Sequence, residues 1–211
     1  AKLALTNDNL GYTVAFGLPE LRERITQHYK IWYGVDISID RVAVTNGSSA
    51  AFILSFMASF NPGDRVAMVA PGYPAYRNIL TALGIETIEL QANIEHRFQP
   101  TVSLLKKIKG NIDGLIIASP SNPTGTMIDK RLMEELADYC EYEGIRLISD
   151  EIYHGITYGN TSVSSLEMNS QSLVINSFSK YFSMTGWRLG WMIVPDDLIR
   201  PIECLSQNFF I

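Results

Sequence analysis

The sequence predicts a three-layer α/β/α fold around a mostly parallel sheet. Short apolar runs alternate along the whole chain with stretches whose apolar residues recur at helical spacing. Turn-forming compositions such as Asn61-Pro62-Gly63-Asp64 punctuate that alternation. Apolar residues make up 46% of the 211 positions and charged ones 18%, which suits a globular chain that covers both faces of a sheet.

The elements follow in order. Gly17-Leu18-Pro19-Glu20 opens an amphipathic helix to about Tyr33, with Leu21, Ile25, His28 and Trp32 on its inward face. Val42-Ala43-Val44 is a short strand, and Ser48 or Ser49 starts an apolar helix to about Phe60. Strand Val66 to Ala70, helix Pro74 to Leu83 and strand Glu86 to Leu90 come next. Helix Thr101 to Lys109 leads to strand Leu115 to Ala118, and helix Asp129 to Tyr142 to strand Arg146 to Ser149. Strand Leu173 to Asn176, strand Leu189 to Val194 and a helix from Asp196 towards Cys204 complete the series. No repeat or linker interrupts it, so residues 1–211 read as one domain.

Bulk properties exclude several classes. Net charge is −5, and the tightest basic cluster, Lys106, Lys107 and Lys109, suits a solvated helix face, so nucleic acid and membrane partners are not expected. Cys140 and Cys204 are isolated, which points to reduced thiols in a cytoplasmic protein and to no metal site. The chain shows no signal-peptide pattern at its start and no run long enough to span a bilayer. G-x-G-x-x-G, Walker A and G-x-S-x-G motifs are missing, which removes the main warrants for nicotinamide, nucleotide triphosphate and serine hydrolase chemistry. His28, His96 and His154 share no element and no ligand spacing; His154 is left without a role.

The chemistry concentrates after the strand at Leu173. Ser177-Phe178-Ser179-Lys180 is followed by Arg188 within Thr185-Gly186-Trp187-Arg188-Leu189-Gly190. Lys180 stands among Phe178, Tyr181, Phe182 and Met184, where desolvation would lower its pKa and free the amine for imine chemistry. Arginine and serine beside it suit a phosphate, because a fork of N–H donors matches phosphate oxygens. An imine-forming lysine next to a phosphate seat suggests pyridoxal 5'-phosphate (PLP).

Three further segments stand at strand ends, where ligands of open α/β sheets bind. Asp150 ends the strand that begins at Arg146, with Glu151 as a structural neighbour and Tyr153 three residues on. Asn122 is held in the rigid loop Ser119-Pro120-Ser121-Asn122-Pro123-Thr124-Gly125. Gly47, Ser48 and Ser49 offer free N–H groups at a helix N-terminus, a natural phosphate seat.

The run from Ser177 to Gly190 resembles the lysine signature of class I/II aminotransferases, PLP enzymes of fold type I. The resemblance extends over essentially the whole chain and implies the large PLP-binding domain of an aspartate aminotransferase-like fold, with an N-terminal arm and C-terminal small domain outside the sequence. It implies that Lys180 holds PLP as a Schiff base and acts as the base of transamination between an α-amino acid and a 2-oxo acid. Asp150 would pair with the pyridine nitrogen, Tyr153 and Asn122 would bond the ring oxygen, and Tyr73 would stack on the ring. Gly47, Ser48, Ser49, Ser177 and Arg188 would hold the phosphate. Tyr12 would reach across a homodimer to the neighbouring phosphate. The arginine that clamps the substrate carboxylate in such enzymes would lie past Ile211, so weak activity is expected of this chain. The same site serves C–S β-lyases and related synthases, and PLP-sensing domains of transcription regulators; these are the alternatives.

Overall fold

A computed structural model describes residues 2–7 and 11–210. Among these residues, helices α1 (Lys2–Asn7), α2 (Pro19–Tyr33), α3 (Gly47–Ser59), α4 (Pro74–Ala82), α5 (Val102–Leu105), α6 (Lys130–Glu143) and α7 (Ile199–Phe210) surround one sheet. Its strands are β1 (Val42–Thr45), β2 (Arg65–Ala70), β3 (Glu86–Gln91), β4 (Gly114–Ala118), β5 (Arg146–Asp150), β6 (Leu173–Ser177) and β7 (Gly190–Ile193). The spatial order is β1-β7-β6-β5-β4-β2-β3. Strand β7 runs antiparallel to β1 and β6, and the other pairings are parallel.

Side-chain alternation along the strands divides the core into layers. Met68, Ile116, Ile148, Ile175 and Met192 point to the face covered by α3, α4 and α7. Leu115, Ile117 and Leu147 point the other way, against α5 and α6. At the β1 side that second face is covered by α2, whose Ile25 and Tyr29 meet Val174, Trp191 and Ile193. The expected three-layer architecture and mostly parallel sheet are what the chain forms.

Local signals explain the boundaries. Pro19 occupies the first turn of α2, where its missing N–H has no intrahelical acceptor to lose. Asp129 caps α6 by accepting from the Leu132 N–H, and Gly144 ends it in a left-handed conformation (φ 69°) that penalises a Cβ. The inward residue of α2 near its end is Tyr29, not Trp32, which is 43% exposed. The Tyr29 hydroxyl accepts from Trp191 Nε1 at 3.2 Å, a long-range bond that sets the rotation of the helix.

Three helices differ from expectation, the first being α1 (Lys2–Asn7), a segment for which the sequence predicts no element. Regular helix around Thr101 is confined to Val102–Leu105; the Lys107 and Ile108 N–H groups then bond the third residue back, and Arg65 draws the carbonyls of Lys109 and Asn111 towards β2. The last helix is longer than expected, with a 3-10 turn over Asp196–Leu198 running into α7, which reaches Phe210. Pro201 falls in its first turn and is tolerated there.

The topology brings the chemistry to one edge. The carboxyl ends of β1, β2, β4, β5 and β6 lie on the same side of the sheet, and the antiparallel β7 starts there, Gly190 pairing with both Thr45 and Ser177. Gly47, Tyr73, Asn122, Asp150, Lys180 and Arg188 all follow or precede these ends within a few residues.

Candidate active site

At that edge lies a cavity of about 290 Å³, close to the lower end of the roughly 300–1,000 Å³ typical of ligand sites. Ser48, Ser49, Tyr73, Asn122, Asp150, Tyr153, Lys180 and Arg188 line it, so residues far apart in sequence meet on one small space. Among the sequence-predicted residues, Gly47, Ser177 and Tyr12 do not form its wall.

Asp150 ends β5 on the same face as Ile148, which aims its carboxyl at α4. There Oδ2 accepts from the Tyr76 hydroxyl, and Oδ1 accepts from the Ile152 N–H at 3.1 Å. Burial raises the carboxyl to about 6, against the pull of those two donors and of the Lys180 charge. Tyr76 was not expected from the sequence. Tyr73 is the extended residue that precedes α4 and Tyr76 lies in its first turn, and their ring centroids stand 5.4 Å apart.

Lys180 follows β6 in a turn, and its ammonium stands 5.7 Å from the centre of the Tyr153 ring. The expected desolvation among aromatic residues is not seen: Lys180 is exposed. Phe178 turns away to pack on Trp191 and Phe182, with centroids 4.8 and 5.1 Å apart, so the aromatic cluster flanks the lysine without covering it.

The other wall is built for an anion. Gly47, Ser48 and Ser49 are the first residues of α3, whose leading N–H groups have no partner one turn back. Gly47 has φ 77°, and a Cβ there would come within 2.5 Å of an Arg188 terminal nitrogen, so only glycine lets the guanidinium lie against this turn. Arg188 is itself left-handed (φ 51°) and donates from one nitrogen to the Thr185 carbonyl at 3.1 Å. Ser177 stands behind this wall: its Oγ accepts from the Ser179 N–H at 3.0 Å and lies 3.1 Å from the Leu189 carbonyl. Ser179, unassigned by the sequence, lines the cavity instead. Tyr12 is 92% exposed and lies away from it.

Asn122 sits in a loop whose Ser119–Pro120 and Asn122–Pro123 bonds are cis. The loop is closed on itself by Gly125 N–H to the Ser121 carbonyl (2.7 Å) and Ser121 N–H to the Thr126 carbonyl (2.9 Å). Two buried side chains tie it down, Gln99 through the Ala118 and Thr126 carbonyls and His154 through the Ser119 carbonyl. Neither was given a role by the sequence.

Behind β5, Glu151 is fully buried on the face opposite Asp150. Its Oε1 accepts from Ser165 N–H (2.9 Å), Ser164 Oγ (3.0 Å) and Ser149 Oγ (3.2 Å), while burial still raises the carboxyl to about 8. Cys140 and Cys204 are free thiols. No helix among the described residues is long and apolar enough to cross a membrane.

The whole chain, residues 1–211, matches the family model described as aminotransferase class I and II. A valine–pyruvate aminotransferase of Mycobacterium tuberculosis is 47% identical over 213 residues, covering 100% of this chain and 55% of that protein. An aspartate aminotransferase of Pyrococcus horikoshii is 34% identical, covering 97% of this chain and 53% of its own length. Among solved structures, an aminotransferase from M. tuberculosis superposes with a TM-score of 0.96 at 46% identity, over 99% of this chain and 58% of that one. Aspartate aminotransferase from Thermus thermophilus with maleate superposes at 0.94 with 28% identity, over 99% and 55%. The chain thus spans about half the length of the curated relatives it matches.

Proposed function

The chain belongs to the class I and II aminotransferase family, and from that premise we propose that it is the large cofactor-binding domain of a PLP-dependent transaminase. The reaction moves the amino group of an α-amino acid to a 2-oxo acid. The observation that carries the reading is the meeting on one cavity of Asp150, Lys180 and Arg188, whose guanidinium lies against Gly47.

The residues suit the group. A buried carboxyl whose pKa is raised by desolvation gains from a cationic partner, and a protonated pyridine nitrogen is one. The open end of α3 and the guanidinium laid against Gly47 suit a phosphate dianion. Tyr73 offers a ring face for stacking, and Asn122 and Tyr153 offer donors to a phenolic oxygen.

When bound, PLP supplies the electron sink that makes the α-proton of an amino acid acidic. The protein supplies the rest. Lys180 would provide the amine that holds the cofactor and the base for the α-proton. Asp150 would keep the ring nitrogen protonated, and Tyr76 and the Ile152 N–H fix its carboxyl. Arg188, Ser48, Ser49 and the Gly47 turn would anchor the phosphate end. Two copies of the chain would complete each other's sites, and the exposure of Tyr12 leaves it available to reach a partner's phosphate.

Borohydride reduction of the chain mixed with PLP, followed by peptide mass mapping, tests the reading. The added mass belongs on the peptide holding Lys180, and Lys180→Ala takes up none and lacks the visible absorbance band. Equal labelling of Lys180→Ala, or a label on another lysine, would overturn the assignment.

A further inference from the structure

A buried polar cluster that the proposed reaction does not use lies behind the cavity wall, on the face turned to α2. Its centre is His154, which is buried. Nε2 of His154 is 2.9 Å from the Ser119 carbonyl oxygen, and a carbonyl only accepts, so the proton is on Nε2. Nδ1 of the neutral ring is then an acceptor, and the Tyr33 hydroxyl, 2.7 Å away, donates to it. One tautomer satisfies both partners. The remaining groups around the ring are Glu151, whose Oε2 is 3.6 Å from Nδ1 and has no hydrogen-bond partner, and His28, whose protonation would further disfavour a charge on His154. Burial holds His154 well below its usual range, at about 4, so the neutral form persists across ordinary pH.

The residue that His154 grips is the root of the Asn122 loop. Ser119 N–H donates to the Asp150 carbonyl at 3.2 Å, and Ser119 Oγ accepts from the Ile128 N–H at 2.9 Å. With the bond from His154, Ser119 is held by three polar contacts where β4 ends and the loop begins. Asn122 enters the cavity three residues later.

We propose that His154 is a positioning residue for Asn122: its Nε2–H bond to the Ser119 carbonyl fixes the root of the 119–126 loop, and the Tyr33 hydroxyl keeps the ring in the tautomer that can make this bond. The effect on cofactor rests on the reading of the cavity given above; the effect on the loop does not. The polypeptide carries a strut reaching from α2 through the turn after β5 to the 119–126 loop.

The test compares His154→Gln with His154→Asn. A glutamine amide can reach the place of Nε2 and keep the bond to Ser119; an asparagine reaches only the place of Nδ1 and cannot. Without cofactor, His154→Asn is expected to speed hydrogen exchange of the Ser121 and Gly125 amides about tenfold, the worth of one buried hydrogen bond, while His154→Gln stays near wild type. With PLP, His154→Asn is expected to shift the pH at which the visible band changes in the same direction as Asn122→Ala, and His154→Gln is not. Equal exchange in the two His154 variants would overturn the proposal. Nitrogen NMR of the wild-type ring gives a check that needs no variant: a Nδ1–H tautomer, or titration near pH 6.5, would also overturn it. If the wild type takes up no PLP, the cofactor reading fails while the exchange contrast still decides the role of His154.

Discussion

Asp150 and Glu151 are adjacent buried carboxyls, and they serve two different regions. Asp150 faces the open cavity, accepts from Tyr76 and the Ile152 N–H, and is raised to about 6. Glu151 faces a closed nest against α2, accepts from three donors on one oxygen, and is raised to about 8. In the strand, a step of one residue changes faces, so neighbours in sequence need share no surroundings. The difference lies in what would complete each group. The cavity carboxyl lacks a cation that a ligand can bring, whereas the nest carboxyl is organised almost wholly by its own chain.

The sharpest break of this comparison pairs two substitutions. Glu151→Ala leaves the Ser149 and Ser164 hydroxyls and the Ser165 N–H without their buried acceptor and is expected to destabilise the fold by about 3 kcal/mol or more, read by denaturant unfolding. Asp150→Asn keeps the shape and removes a carboxylate that burial penalises, so at pH 8 the cofactor-free chain is expected to gain stability. The same variant is expected to lose roughly a hundredfold or more in transaminase turnover, because a neutral amide cannot hold the ring nitrogen protonated. Comparable destabilisation by both variants would erase the distinction between the two regions.

Stability against pH gives a second, smaller test. The Glu151 carboxyl is raised from 4.5 to about 8, so the native state holds a proton that the unfolded chain has already released in that interval. Its contribution is therefore fully present below 4.5 and is lost as pH rises towards 8. His154, lowered from 6.5 to about 4, has the opposite sign: its contribution is present above 6.5 and is lost as pH falls towards 4. Asp150, raised from 3.8 to about 6, follows Glu151 in direction but completes its change lower. Between pH 6.5 and 8 Glu151 is thus the group left to act among these three. Unfolding free energy is expected to fall there by up to about 1.4 kcal/mol per pH unit, and Glu151→Gln should flatten the slope. A slope that survives Glu151→Gln would place the raised carboxyl elsewhere.

What could be read from the sequence follows the same division. That Lys180, Asp150, Asn122 and Arg188 meet on one cavity was legible because each lies in a short run of unusual residue types beside a strand end, and the sheet brings such ends together. The strands were legible from apolar runs, with boundaries off by a residue. The polar supports of the Asn122 loop were not legible, because their bonds span the chain: Tyr33 to His154 crosses 121 positions, His154 to Ser119 crosses 35 and Gln99 to Thr126 crosses 27. No local pattern encodes such partners. The exposure of Lys180 is hidden from the sequence for a related reason, since the partner that draws Phe178 away is Trp191, on another strand. Tyr76 falls between these cases, for its place in the helix after Tyr73 was visible but its acceptor on β5 was not.

Tyr76 also provides the finest test, because it stands where the two regions come closest to exchanging character. Its ring packs on Phe52 and Tyr73, with centroids 4.9 and 5.4 Å apart, so Tyr76→Phe keeps the packing and removes only the hydroxyl. That hydroxyl lowers the Asp150 carboxyl against the effect of burial. Without it the carboxyl rises further, is more often protonated near neutrality, and makes a poorer partner for a cationic ring nitrogen. PLP affinity, measured by titrating the cofactor-free chain, is expected to fall about tenfold at pH 7, the worth of one hydrogen bond to a charged group. The loss should shrink as pH rises, because the carboxylate is restored. An unchanged affinity would mean that the Ile152 N–H alone suffices to ready Asp150, and that the cavity carboxyl is as complete within its own chain as the one behind it.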